Sequence, residues 1–116
     1  MKAVVFHEFG SSDKLKLEIV KTPEIRSNEI LVRVKACGIN RLDLLLRNGA
    51  IPDIPLPHIC GSEVAGVVEK VGSRVSSPKV GERIAIAPWI FCSECEQCKK
   101  RTGNHMPKRR YTWQVF

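Results

Sequence analysis

Apolar and polar residues alternate along this chain in short runs, and turn-forming residues interrupt every run. Lys2 to Phe6 is a brief apolar segment that reads as a first strand, followed by a polar turn at Gly10-Ser11-Ser12-Asp13. Leu15, Leu17 and Ile19 then alternate with Lys16 and Glu18, the period-two pattern of a half-buried strand. A connector with Pro23 and Asn28 follows. Beyond it Ile30, Val32, Val34 and Ala36 alternate with Leu31, Arg33, Lys35 and Cys37, which predicts the clearest strand in the chain. Gly38 ends that strand. Asn40 is placed to cap a helix over Arg41 to Arg47, and Asn48-Gly49 stops it. Pro52, Pro55 and Pro57 cannot donate to a ladder and mark a loop. Val64 to Val71 is the next apolar strand. Gly81 opens another short one over 82–87, which Pro88 closes. From Cys92 onward neither period is visible, so the pattern predicts a cysteine- and charge-rich loop.

Many short strands, frequent turn residues and a single brief helix point to a mainly β fold, a barrel or a sandwich. At 116 residues the chain is about one domain with a modest core. It contains no internal repeat and no Gly-x-Gly, so the fingerprint of a dinucleotide-binding βαβ unit is missing.

Charge changes the picture only once it is located. The formal net charge is +7, but Lys99, Lys100, Arg101, Lys108, Arg109 and Arg110 carry nearly all of it, and no acid lies beyond Glu96. A short basic run of this kind is a solvated segment, and nucleic acid is not the expected partner. No apolar run reaches the roughly 18 residues of a membrane helix, and Glu8 interrupts any signal-peptide layout. The cytoplasm is the expected location and no membrane association is expected.

Chemistry concentrates in two places. Three of the five cysteines, Cys92, Cys95 and Cys98, stand at Cys-x-x-Cys-x-x-Cys spacing. Two-residue gaps let neighbouring thiolates turn onto one ion about 2.3 Å away, and without an export signal this favours metal over disulfides. The second place is the segment from Gly61 to Val75, where an acidic turn, Gly61-Ser62-Glu63, runs into an apolar strand punctuated by Gly66 and Gly72. Glycine at such positions marks a tight turn or a close approach of backbones. Cys37 and Cys60 read as inert packing residues, His58 as a loop histidine, and His7 shows no partner in the sequence.

The glycine spacing of 61–75 resembles the signature of the zinc-type medium-chain dehydrogenase/reductase family. Met1-Lys2-Ala3-Val4-Val5, Glu29-Ile30-Leu31-Val32-Arg33-Val34, Gly38-Ile39-Asn40-Arg41-Leu42-Asp43 and Lys79-Val80-Gly81-Glu82-Arg83 look like the family's N-terminal part in the right order. The resemblance implies a GroES-like, partly open β barrel with a short helix and a metal loop at about 90–107. It also implies that residues 1–116 are an incomplete alcohol dehydrogenase N-terminal domain, with the Rossmann cofactor domain absent.

The same resemblance implies the site. The family's alcohol dehydrogenases bind catalytic zinc with a cysteine in the Gly-x-Cys turn and the histidine of the signature. Here those positions are Asn40 and Ser62, whose oxygens are poor substitutes for thiolate and imidazole. The proton-relaying hydroxyl is replaced by Leu42. The pair Asn40 and Gly61-Ser62-Glu63 resembles instead the quinone-reductase branch, which moves hydride without a catalytic metal. Asn40, Ser62 and Glu63 are then the expected catalytic residues and Arg41 the expected cofactor contact. Without zinc, Asp43 and Glu63 are expected to pair with Arg41 or a backbone donor. The alternative open at this stage is that Asn40 only caps its helix and Ser62 only fills a turn.

In the metal loop the family's fourth cysteine is replaced by Met106, with His105 beside it, so the expected structural zinc set is Cys92, Cys95, Cys98 and His105. The expected function is that of the N-terminal catalytic piece of a zinc-containing, NAD(P)-dependent oxidoreductase, inactive by itself. In a full-length relative its substrate would be a quinone, enone, aldehyde or alcohol. The alternatives are a non-enzymatic β-barrel binding module and the remnant of a truncated dehydrogenase gene. Open strand edges predict self-association.

Overall fold

A computed structural model describes residues 1–51, 53–92, 94–100 and 110–111. Its first strand, β1 (Lys2–Phe6), pairs antiparallel with β2 (Lys16–Ile19) on one side and with β4 (His58–Ile59) on the other. The second sheet is built from β3 (Ile30–Gly38), β5 (Glu63–Val71) and β6 (Arg83–Ile86), with β5 in the middle. A two-residue ladder joins β7 (Trp89–Ile90) to β8 (Arg110–Tyr111). The fold is mainly β and open, with neither three-stranded sheet closed on itself.

The helix α1 spans Arg41–Arg47, the segment its pattern predicts. The Asn40 backbone N–H donates to Asp43 Oδ2 at 2.6 Å, and the Asp43 N–H returns to the Asn40 carbonyl at 3.0 Å. An acidic side chain at the third helical position thus satisfies a donor at the helix start. At the other end the Asn48 N–H bonds the Leu44 carbonyl, and Gly49 takes φ +82°. That left-handed conformation ends the helix at low steric cost because glycine has no Cβ.

The core lies between β1 and α1. Phe6, Leu46 and Ile54 are buried together, and Phe9, Leu15, Leu42, Ile51 and Cys60 pack against them. Leu42 and Leu46 are one turn apart, so one helical face supplies both. Val5 and Val68 are also buried.

Three expectations are corrected here. Leu17 and Ile19 are 70% and 76% exposed, so the apolar face of β2 points away from the core. The register explains this: Leu17 faces Val4, itself 45% exposed, while Lys16 faces the buried Val5. Period two identified the strand but not which face is covered. Second, the region after Cys92 is not wholly loop. It carries one helical turn, α2 (Glu96–Lys99), and its neighbour β7 pairs with β8. Third, His58 lies on a strand and is buried.

The β3–β5 ladder runs the whole length of both strands, from Ile30 opposite Val71 to Gly38 opposite Glu63. Its register shifts between Val34 and Ala36, where the extra residue is Lys35. Such a shift bends and twists a strand locally. The end of β3 is thereby delivered against the turn that precedes β5. Gly66 of β5 sits where an added Cβ would meet the Arg33 carbonyl oxygen, so only glycine lets β3 approach this closely.

Candidate functional site

Two loops meet at one end of the β3–β5 ladder. One leaves β3 at Gly38 and enters α1 through Ile39 and Asn40. The other is the turn Gly61-Ser62 that enters β5. Asp43 joins them: its Oδ1 accepts the Gly61 N–H at 2.6 Å while its Oδ2 holds the Asn40 N–H at 2.6 Å. Asp43 is 5% exposed, so this carboxylate is a buried acceptor serving two backbone donors. Charge-assisted bonds of this type are short and strong.

Gly61 is held between these groups at φ +100°. A Cβ there would run into Cys37 Sγ, so both the backbone conformation and the available space require glycine. Burial pushes the thiols of Cys37 and Cys60 up, and the nearby Asp43 charge pushes them the same way. Both shifts favour the protonated, poorly nucleophilic thiol. Cys60 packs against the core as expected, whereas Cys37 is exposed, which corrects its reading as a packing residue.

The expected catalytic residues do converge. Asn40 Nδ2 donates to Glu63 Oε2 at 3.1 Å, linking positions 23 residues apart in sequence. Ser62, between Gly61 and Glu63, is buried. Asn40 therefore does more than precede its helix, since its side chain reaches β5. The expected pairing of carboxylates is half corrected. Asp43 finds backbone donors, as one option had it, whereas Glu63 finds the Asn40 amide. Arg41, the expected cofactor contact, is an exposed residue at the first position of α1.

Beside Glu63 a shallow cleft of about 230 Å³ opens along the sheet, lined by Ala36, Gly38, Glu63, Val64, Ala65, Ala85 and Ile86. Among the residues expected to be catalytic, only Glu63 lines it. The floor is small and apolar.

These residues do not fit a catalytic zinc. The first two positions offer an amide, whose nitrogen is committed to Glu63, and a buried hydroxyl. A site with three strong protein donors and one open position is not present there among the described residues.

The cysteine loop differs. One sulfur from each of Cys92, Cys95 and Cys98 lies within 4.8 Å of the other two, and Cys92 Sγ is 3.7 Å from Cys98 Sγ. A tetrahedral ion about 2.3 Å from each thiolate would set sulfurs about 3.8 Å apart. The donor set therefore fits zinc in chemistry and spacing. Backbone N–H groups of Cys95 and Glu94 bring the Cys92 thiol down to about 7, which favours the ligating thiolate. His105 and Met106, candidates for the fourth position, lie outside the described residues.

Two residues carried more than their sequence suggested. His58 packs its ring on Phe6, with centroids 5.3 Å apart, and burial pushes its pKa down against the opposing pull of Asp43. His7 bonds Glu18 at 2.9 Å across the β1–β2 hairpin. The Asn-x-x-Asp spacing at the helix start was the available signal for Asp43. Nothing local signalled the burial of His58.

With this geometry in hand, known proteins place the chain. Residues 26–114 match the family described as "Alcohol dehydrogenase GroES-like domain". The chain belongs to that family. It is 39% identical over 110 residues to the sorbitol dehydrogenase of Bacillus subtilis, covering 92% of this chain and 30% of that protein. It is 42% identical over 86 residues to the quinone oxidoreductase of Mus musculus, covering 72% of this chain and 26% of that one. Among solved structures, an NAD-dependent alcohol dehydrogenase superposes with a TM-score of 0.91 at 34% identity, over 98% of this chain and 34% of the other. The chain thus spans about a third or less of these relatives' lengths. Among the described residues no helix is long and apolar enough to cross a membrane.

Proposed function

We propose that this GroES-like domain forms the substrate-side wall of an NAD(P)-dependent oxidoreductase that moves hydride without a catalytic metal. The observation that carries this reading is the Asn40–Glu63 hydrogen bond; by the family resemblance, Asn40 stands where the alcohol dehydrogenases have a zinc-binding cysteine. A metal there would act as Lewis acid on a carbonyl. In its place the site offers a neutral amide, a buried serine and a carboxylate at the edge of an apolar cleft. Of these, the second Asn40 amide N–H and the Ser62 hydroxyl can donate to a carbonyl oxygen, while the Glu63 carboxylate is an acceptor that holds the Asn40 amide. The electrons come from the nicotinamide. The substrate class is a quinone or enone, which accepts hydride with less need of metal activation than a simple ketone or aldehyde. Arg41, exposed at the first turn of α1, would contact the cofactor's phosphates.

By itself the domain supplies orientation but not the phosphate-cradling unit a dinucleotide needs, so it should bind cofactor feebly and turn nothing over. Amide-shift mapping of the full chain with nicotinamide mononucleotide and a tetramethyl-substituted benzoquinone, whose ring positions are blocked against thiol addition, tests the site. Shifts should cluster on Asn40, Ser62 and Glu63 and be indifferent to chelator. Shifts clustered elsewhere, or lost on chelation, would refute the metal-free reading. Oxidation of reduced nicotinamide at an ordinary rate of about 10 s⁻¹ would refute the dependence on a second domain.

The thiols of Cys92, Cys95 and Cys98, with His105, would hold a structural zinc that fixes the loop and takes no part in the reaction. Among the described residues the nine-residue strand β3 pairs with β5 alone, and the β3–β5–β6 sheet is open on both sides. Unpaired edges of that length favour pairing between copies of the chain.

A further inference from the structure

We propose that the cysteine loop is a thiol–disulfide site, in which Cys92 and Cys98 join in a disulfide when the loop holds no metal. Two observations favour this pair within a set whose sulfurs all lie within 4.8 Å of one another. Cys98 rides on α2, and that single turn carries its sulfur to 3.7 Å from Cys92 Sγ. Cys95 is the residue before α2, and its backbone N–H points at Cys92 Sγ, 3.5 Å away. That donor stabilises negative charge on Cys92 as the sulfur becomes a nucleophile. Cys92 is the exposed member of the set, while Cys95 and Cys98 are half-buried. An external reagent therefore meets Cys92 first, and Cys98 is the resolving sulfur behind it. A disulfide needs about 2.05 Å between sulfurs, so the pair has to close by about 1.7 Å from its 3.7 Å separation.

The reaction balances with a low-molecular-weight disulfide such as oxidised glutathione as oxidant. The Cys92 thiolate attacks one sulfur of the reagent, forming a mixed disulfide and expelling one thiolate. The Cys98 thiolate then attacks Cys92 Sγ and expels the second thiolate. Two protein thiols lose two electrons and two protons, and the reagent becomes two thiols. Nothing in this chemistry depends on hydride transfer or on the Asn40 site. It bears on the metal directly, because the oxidised loop has only Cys95 left as a thiolate. In most four-cysteine loops a bound ion shields every sulfur. Here the fourth cysteine is Met106, which leaves the set with fewer strong ligands to exclude a competing reagent.

The test uses the full chain, stripped with chelator, reduced, then treated with excess oxidised glutathione and mapped by mass spectrometry after cleavage at glutamate. Glu94 and Glu96 separate the three cysteines onto different peptides. The expected product is peptide 83–94 linked to peptide 97–116, with loss of two of the five thiols and recovery of both on reduction. C95S should lose the same two thiols, and C98S should stop at a glutathione adduct on Cys92. A link through Cys95, or Cys92 and Cys98 both surviving as thiols or stable adducts in the wild-type chain, would overturn the proposal.

Discussion

Asp43 and Gly61 are joined by a 2.6 Å hydrogen bond between a buried carboxylate and a backbone N–H. The same carboxylate holds the Asn40 N–H, so one side chain fixes both loops of the candidate site. D43A would leave two donors without an acceptor in a place where water enters poorly. The expected loss is roughly 2–4 kcal/mol of folding stability, measured by urea unfolding. N40A removes an exposed bond to Glu63 and should cost well under half of that. Equal losses in the two variants would show that Asp43 is not the organising group.

Gly61 is constrained twice, and the two constraints are separable. G61A places a Cβ against Cys37 Sγ and forces an L-residue to φ +100°. The backbone part alone is of order 1–3 kcal/mol. C37A in the same chain removes the collision but not the conformational cost. G61A should therefore unfold at markedly lower urea than wild type, and G61A/C37A should recover only part of the difference. Full recovery would mean that the backbone conformation costs nothing.

Much of this architecture is legible in the sequence, because local physics decides it. Asn40 before an apolar run and Gly49 after it bracket a helix with the predicted ends. The alternation from Ile30 to Cys37 has no other reading than a strand. What escapes is whatever depends on partners far away in the chain. Leu17 and Ile19 alternate properly, yet no covering element lies on their side of β2 among the described residues. His58 follows Leu56-Pro57 in a proline-rich stretch, and only the two-residue pairing of β4 with β1 carries it into the core beside Phe6. At the site, the residue types were visible but the bond partners were not. Glu63 meets Asn40 and not Arg41 because the ladder register sets Gly38 opposite Glu63, and a register shift at Lys35 cannot be read from alternation.

His58 makes stability depend on pH in a defined window. Burial holds its folded pKa below the ordinary value of 6.5, so the unfolded chain takes up the proton first. Stability is unaffected well above pH 6.5 and falls as pH drops through that value towards the lower folded pKa. Glu8 and Asp13, lowered by Lys14 and Ser11 respectively, contribute in the same direction, but only below their unfolded values of 4.5 and 3.8. Urea unfolding between about pH 7 and about pH 5.5 should therefore show a decline that H58N flattens. A decline unchanged by H58N would assign the effect to another group.

The cysteine loop predicts a metal-dependent melting temperature. Binding to the folded loop and not to the unfolded chain stabilises the fold by mass action, by about 2.7 kcal/mol when free zinc is 100 times its Kd. One zinc per chain should bind under reducing conditions, raise the melting temperature, and be removed with that gain by a strong chelator. C95S lacks one of three sulfurs that lie within 4.8 Å of each other, so its melting temperature should be the same with and without chelator. H105A should keep the three thiolates but weaken binding by at least the roughly tenfold that loss of an outer-shell partner brings. If H105A binds zinc as tightly as wild type, the fourth ligand is not His105. If wild type melts identically with and without chelator, the loop contributes no metal-linked stability. In that case the 3.7 Å approach of Cys92 and Cys98 reflects the one-turn helix alone.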